Sequence, residues 1–183
     1  VDNSKKVQAD AIGSGSALFD ASDESVDISS TSAFTSFSAS NSGSVTAWMK
    51  LTDYTSAGNK AIIGNNGGAG GSRGFLLYYY GTDDNFRLHL TGGSDVDITS
   101  GGDASITDND WHHVAVVRTP APTTAFYVDG VLTHSNTTAQ TSESGDSSQI
   151  LQIGCSGADE MEFAGNICQV GYWVGALTQE KIQ

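Results

Sequence analysis

The chain has 183 residues, with 22 glycines, two prolines and a formal net charge of −13 at pH 7. That length suits one domain with a proper core, and the charge excludes a nucleic-acid partner and disfavours an anionic membrane, both of which need a Lys/Arg surface. No apolar run approaches the roughly 20 residues of a membrane span, and the wealth of Gly, Ser and Thr over helix formers predicts many short strands joined by turns.

The chain begins at Val1 without Met, which is read as a processed chain or a domain of a longer parent. Residues 1–16 are polar and aperiodic and are expected to be a lead-in or linker, with the domain proper over 17–183. Ala17-Leu18-Phe19 and Val26-Asp27-Ile28 read as short strands around the acidic turn at Asp20 to Glu24. Ser29 to Ser44 is a Ser-rich loop whose Phe34 and Phe37 are expected to pin it to the core. Val45 to Leu51 alternates and predicts a central strand; Ala61 to Gly64 predicts a short buried one. The glycine-rich stretch from Asn65 to Gly74 lacks the Lys-Ser/Thr ending and the following helix of a phosphate cradle.

Phe75 to Tyr80 and Phe86 to Leu90 predict a hairpin around Gly81 to Asn85, and Asp95 to Ile98 a further short strand. Trp111-His112-His113-Val114-Ala115-Val116-Val117-Arg118 alternates with β-branched residues, as a strand with one buried face does. Tyr127-Val128-Asp129-Gly130-Val131 carries the Asp-Gly hairpin signal. Ile150 to Gly154 and Gly165 to Trp173 complete the strands, and Thr178 is placed to cap a short terminal turn ahead of Glu180.

The Trp-His-His-Val and Tyr-Val-Asp-Gly pair, then Gly165-Asn166-Ile167 and Ala176-Leu177-Thr178, resembles the laminin-G-like and pentraxin-like branch of the concanavalin A-like lectin/glucanase superfamily. The resemblance implies an all-β antiparallel β-sandwich jelly roll. It also implies a recognition module for a surface glycan or polysaccharide, carried by a larger extracellular, cell-surface or virion-exposed protein with neighbouring domains. It assigns Trp48, Trp111 and Trp173 to core positions. The family's own calcium positions do not carry over, because Arg73 and Cys168 stand where acids are usual.

Calcium remains a candidate cofactor on residue type alone, since hard cations take several loop oxygens. Asp20, Asp23 and Asp27 are the first candidate ligands; Asp83, Asp84 and Asn85, and Asp159, Glu160 and Glu162, come after them. A sugar site needs an aromatic platform beside planar polar groups. Tyr78 and Tyr80 share one strand face, with Asp83, Asp84, Asn85 and Arg87 beside them, and are the candidate glycan residues. Cys155 and Cys168 bracket a predicted hairpin and are either a disulfide or two buried thiols.

Catalysis is not expected. Glu160-Met161-Glu162 offers two acids at strand spacing, but the third acid of a glucanase motif is replaced by Ala164 or Gly165. His112 and His113 are sequence neighbours and face opposite sides of a strand. Asn136-Thr137-Thr138 is a glycosylation sequon. The alternatives to a lectin-like module are a decoration or adhesion domain that binds protein neighbours and, behind it, a glycoside-cleaving enzyme.

Overall fold

The computed structural model describes residues 6–7, 15–22, 24–28, 37, 41–65, 74–91, 95–102, 106–120, 123–138, 150–156 and 161–183. Among the described residues, thirteen strands and one short helix follow in chain order: β1 Lys6–Val7, β2 Ser16–Asp20, β3 Val26–Ile28, β4 Gly43–Leu51, β5 Asn59–Gly64, β6 Gly74–Tyr80, β7 Asn85–Thr91, β8 Val96–Thr99, β9 His112–Thr119, β10 Thr123–Val128, β11 Val131–Asn136, β12 Leu151–Ile153, β13 Ala164–Val174 and α1 Gln179–Ile182. They form a seven-stranded sheet, β1-β2-β13-β4-β9-β10-β11, and a six-stranded sheet, β3-β12-β5-β6-β7-β8. Every pairing is antiparallel. The two sheets make the expected β-sandwich. Two residues of the expected lead-in, Lys6–Val7, add an edge strand to β2.

The core follows from strand alternation. On β4, Val45, Ala47, Met49 and Leu51 turn inward; on β9, Val114 and Val116 do the same, and they meet Phe75, Leu77 and Leu88 of the other sheet. Phe37 is 1% exposed and stacks on Phe75, with centroids 4.7 Å apart, so it pins its loop as expected. Phe34 lies outside the described residues.

Both outer faces are partly covered, and this positions the functional surface. After β13 the chain turns at Gly175, whose carbonyl accepts from Ser44 Oγ on β4; the same hydroxyl oxygen accepts from the Leu177 N–H. The terminal segment then packs Leu177 and Ile182 on Ala115, Val117 and Tyr127, the outward residues of β9 and β10. Thr178 precedes α1, although its side chain makes no capping bond. On the other sheet, Met161 packs over Ala61, Leu76 and Tyr78.

Strand β13 carries a β-bulge. Cys168 opposes Trp48 and Gly171 opposes Thr46, so β13 spends three residues where β4 spends two. Gln169, inside the bulge, sits at φ 49. The extra residue reverses the alternation of the strand. Ile167 before it and Tyr172 after it both face the core, and Trp173 is turned outward.

Candidate functional site

The tyrosine strand does not present the open platform expected of it. Tyr78 and Tyr80 share the outer face of β6, but Tyr78 is only 4% exposed. Its hydroxyl donates to Asp97 Oδ1 at 3.2 Å, and the same oxygen meets His89 Nδ1 at 2.9 Å. Burial, reinforced by the Asp97 charge, pushes the Tyr78 hydroxyl up to about 12. The bond to Asp97 raises the His89 pKa against the opposing effect of burial, and the bond to His89 lowers that of Asp97.

The Tyr80 ring is covered as well. The Arg87 guanidinium carbon lies 3.7 Å from its centroid, and Arg87 is held there by Asp83 at 2.8 Å and by Asn85 Oδ1 at 3.3 Å. Asp84 leaves the group: at φ 50 it turns back to accept from the Tyr79 hydroxyl at 2.9 Å. The structure thus brings Tyr78, Tyr80, Asp83, Asn85 and Arg87 together as a closed cation–π and hydrogen-bond network, and adds Asp97 and His89 to it.

The first candidate calcium group does not assemble either. Asp20 ends β2 in the seven-stranded sheet, where its carboxylate accepts from Ser22 Oγ and its N–H donates to Glu24. Asp27 lies on β3 in the other sheet and accepts from Ser25 and Gln152, which hold its carboxyl below the usual range. Asp23 lies outside the described residues. Among the described residues no three His, Cys, Asp or Glu side chains converge on a common point, so those that can be placed do not fit a calcium set. Asp159 and Glu160 also lie outside. Met161 has φ 63 and precedes β13, so Glu162 is not part of an alternating acidic strand. Cys155 and Cys168 are both buried and are thiols in the structure, the second of the two readings left open.

An open site lies instead on the outer face of the seven-stranded sheet. Trp48 on β4 is directly opposite His113 on β9, with ring centroids 5.3 Å apart. The two rings line a pocket of about 230 Å³ with Asp129, Gly130, Ile182 and Gln183. Local chemistry fixes each wall. Asp129 and Gly130 have φ 51 and 76, both positive, as a two-residue hairpin turn of the primed type requires. Asp129 Oδ1 accepts from the His113 N–H at 2.8 Å and Oδ2 meets His112 Nδ1 at 2.9 Å. The Gly130 carbonyl accepts from the side chains of Gln179 and Gln183, which ties the turn to α1. Burial lowers the His113 pKa, so its ring faces the pocket uncharged at neutral pH.

His112 faces the other way. Its Nε2 meets Asp108 at 3.0 Å while Nδ1 meets Asp129, so both ring nitrogens point at carboxylates. Burial opposes its charge, but the bonds to Asp129 and Asp108 outweigh it and raise the pKa. Trp173 stands on the same outer face as Trp48 and is 47% exposed. The core assignment of these two tryptophans is therefore corrected. For Trp48 the signal was present in the alternation of Val45, Ala47, Met49 and Leu51, which leaves it outside.

The architecture has parallels among solved structures. No curated protein sequence matches the chain. Among solved structures it resembles domain 4 of AbnA, a GH43 extracellular arabinanase from Geobacillus stearothermophilus, in complex with arabinotriose. The TM-score is 0.71 at 19% identity, over 97% of this chain and 79% of that one. It also resembles the Ruminococcus gnavus IT-sialidase CBM40 bound to alpha2,3 sialyllactose, with a TM-score of 0.62 at 14% identity, over 87% and 94%. The receptor binding domain of botulinum neurotoxin D gives 0.67 at 16% identity, over 100% of this chain and 45% of that one. The family model of the concanavalin A-like lectin/glucanases superfamily, a laminin G type, matches residues 20–183. Matched over most of its length and built as two antiparallel sheets, the chain belongs to that superfamily.

Proposed function

We propose that this domain is a non-catalytic module that binds carbohydrate at the Trp48–His113 pocket on the outer face of the seven-stranded sheet. The observation that carries the reading is the ring pair itself: an uncharged imidazole and an indole, tilted 51° to each other and lining an open pocket next to the Asp129 carboxylate. An apolar ring face suits the C–H face of a sugar, and a carboxylate fixes hydroxyls. Two similar structures were solved with arabinotriose and with alpha2,3 sialyllactose bound, which supports a sugar as the ligand class. The setting we favour is a larger extracellular, cell-surface or virion-exposed protein that meets a surface glycan.

Binding of purified domain to a polysaccharide panel, with calcium and then with chelator, tests this. Trp48→Ala is expected to weaken binding roughly tenfold or more while the fold is retained, and chelation is expected to leave binding unchanged. A folded wild-type domain that binds no glycan overturns the reading. It would favour the second one, a decoration or adhesion domain, for which Val131 and Leu132 speak: they are 60% and 45% exposed on the edge strand β11.

A further inference from the structure

We infer that Trp173 is a second stacking platform on the same face, and that the ligand is an extended, uncharged oligosaccharide chain rather than a single terminal sugar; the inference rests on the glycan-binding reading of the Trp48–His113 pocket.

Three features of β13 serve this placement and are hard to account for otherwise. The first is exposure. An indole that leaves nearly half its surface in water forgoes much of the stabilisation that burial would give it. Its neighbour Tyr172 is packed on Phe75 and Phe37 in the core, so the strand had an inward position available for an aromatic residue.

The second feature is the bulge. Were the same residues paired regularly, with no bulge between Cys168 and Gly171, strand alternation would put Trp173 on the side of Ile167, inside the sandwich. With it, Trp173 joins Trp48 outside. The third is Gly171. A Cβ built there would lie 2.9 Å from Trp173 Nε1 and 2.8 Å from Thr46 Oγ1. The missing side chain lets the indole lie down along the sheet, over Gly171. It therefore leans toward Trp48 rather than standing away from the surface.

The spacing sets the ligand's size. Trp173 opposes Ser44, four residues along β4 from Trp48, so the two strand positions are about 13 Å apart at about 3.3 Å per residue, and the lean over Gly171 brings the indole nearer than that. Two platforms set one after the other along the strand direction suit a short stretch of a linear chain better than a single ring. Charge sets its class. The net charge of −13 repels uronate-rich or sulfated chains at long range, so the chain that fits is neutral.

Mono- to hexasaccharide ladders from arabinan, xylan and laminarin, titrated calorimetrically against wild type, Trp48→Ala and Trp173→Ala, decide the matter. Near-UV circular dichroism and thermal melts check that each variant is folded. For the ladder that binds, wild-type affinity is expected to rise with chain length. Trp173→Ala is expected to lower hexasaccharide affinity about tenfold and to leave mono- and disaccharide affinity unchanged, while Trp48→Ala weakens both. Gly171→Val, which displaces the indole without removing it, is expected to reproduce the length-dependent loss.

Affinity independent of length, or hexasaccharide affinity untouched by Trp173→Ala where Trp48→Ala abolishes it, overturns the second platform and leaves the pocket standing. An equal loss for monosaccharide and hexasaccharide in Trp173→Ala overturns it too. Failure of folded wild type to bind any of the ladders, or any glycan of the wider panel, overturns the pocket reading and the second platform together.

Discussion

His112 shows how one side chain can organise a hairpin. A neutral imidazole carries one N–H donor and one bare nitrogen, so it cannot satisfy two carboxylates at once. With Asp108 and Asp129 on either side of the ring, the geometry belongs to the imidazolium. Its pKa is raised in the fold, so the stabilisation it gives is complete below the unfolded value of about 6.5 and is lost as pH rises through the folded value. The difference in melting temperature between wild type and His112→Gln is therefore expected to be largest in mild acid and to shrink on the alkaline side. Melts recorded from acid to alkaline pH check this, and a difference independent of pH contradicts it. Arg118 is the opposite case. It is 1% exposed; among the described residues its Nη1 donates to Thr124 at 2.8 Å, and its buried Nε finds no acceptor. Arginine cannot shed its proton to escape burial. Arg118→Met is expected to stabilise the domain by about 1–3 kcal/mol in urea denaturation, because an unsatisfied buried group is removed while the volume is kept. A loss of stability of that size would show that the charge is compensated.

At the scale of elements, the junctions between strands are more constrained than the strands. Gly154 follows β12 at φ 86, donates its N–H to Ile62 of β5, and accepts at its carbonyl from Phe163, just before β13. A Cβ at that position would sit 2.1 Å from the Phe19 ring, which itself packs edge-on against Phe163. Gly154→Ala combines a left-handed backbone that alanine resists with overpacking of a core ring. It is expected to cost about 2–4 kcal/mol, measured by equilibrium unfolding; a near-neutral effect would mean that Phe19 has room to move. Strand alternation and turn chemistry made most elements legible in advance. The Asp129-Gly130 hairpin, the inward set of β4 and the opposed faces of His112 and His113 all follow from residue type and a period of two. Alternation by itself would not have corrected the inward place that the resemblance implied for Trp173. Counted from Ile167, it places Trp173 inside, and nothing in Gln169-Val170-Gly171 announces an extra residue. A bulge is visible only once the partner strand is in place.

For the whole molecule, the distinction lies between what is local and what needs a second sheet. Residue order alone is enough for an acidic, all-β chain of one superfamily, with a core drawn from alternating apolar residues. These properties are carried by composition, short periodicities and contiguous motifs. It also put aromatic and acidic residues beside one another at Tyr78 to Arg87, as a sugar site would need. Only the tertiary structure decided that this group is closed, with Tyr78 under Met161 and bonded to Asp97, and Tyr80 under the Arg87 guanidinium. It likewise set Asp20 and Asp27 in different sheets, and it brought Trp48, His113, Asp129 and the terminal helix around one opening. The physical reason is that accessibility and convergence are properties of packing. Which face of a strand water reaches depends on the loop or helix that crosses it, and that partner is written far away in the chain.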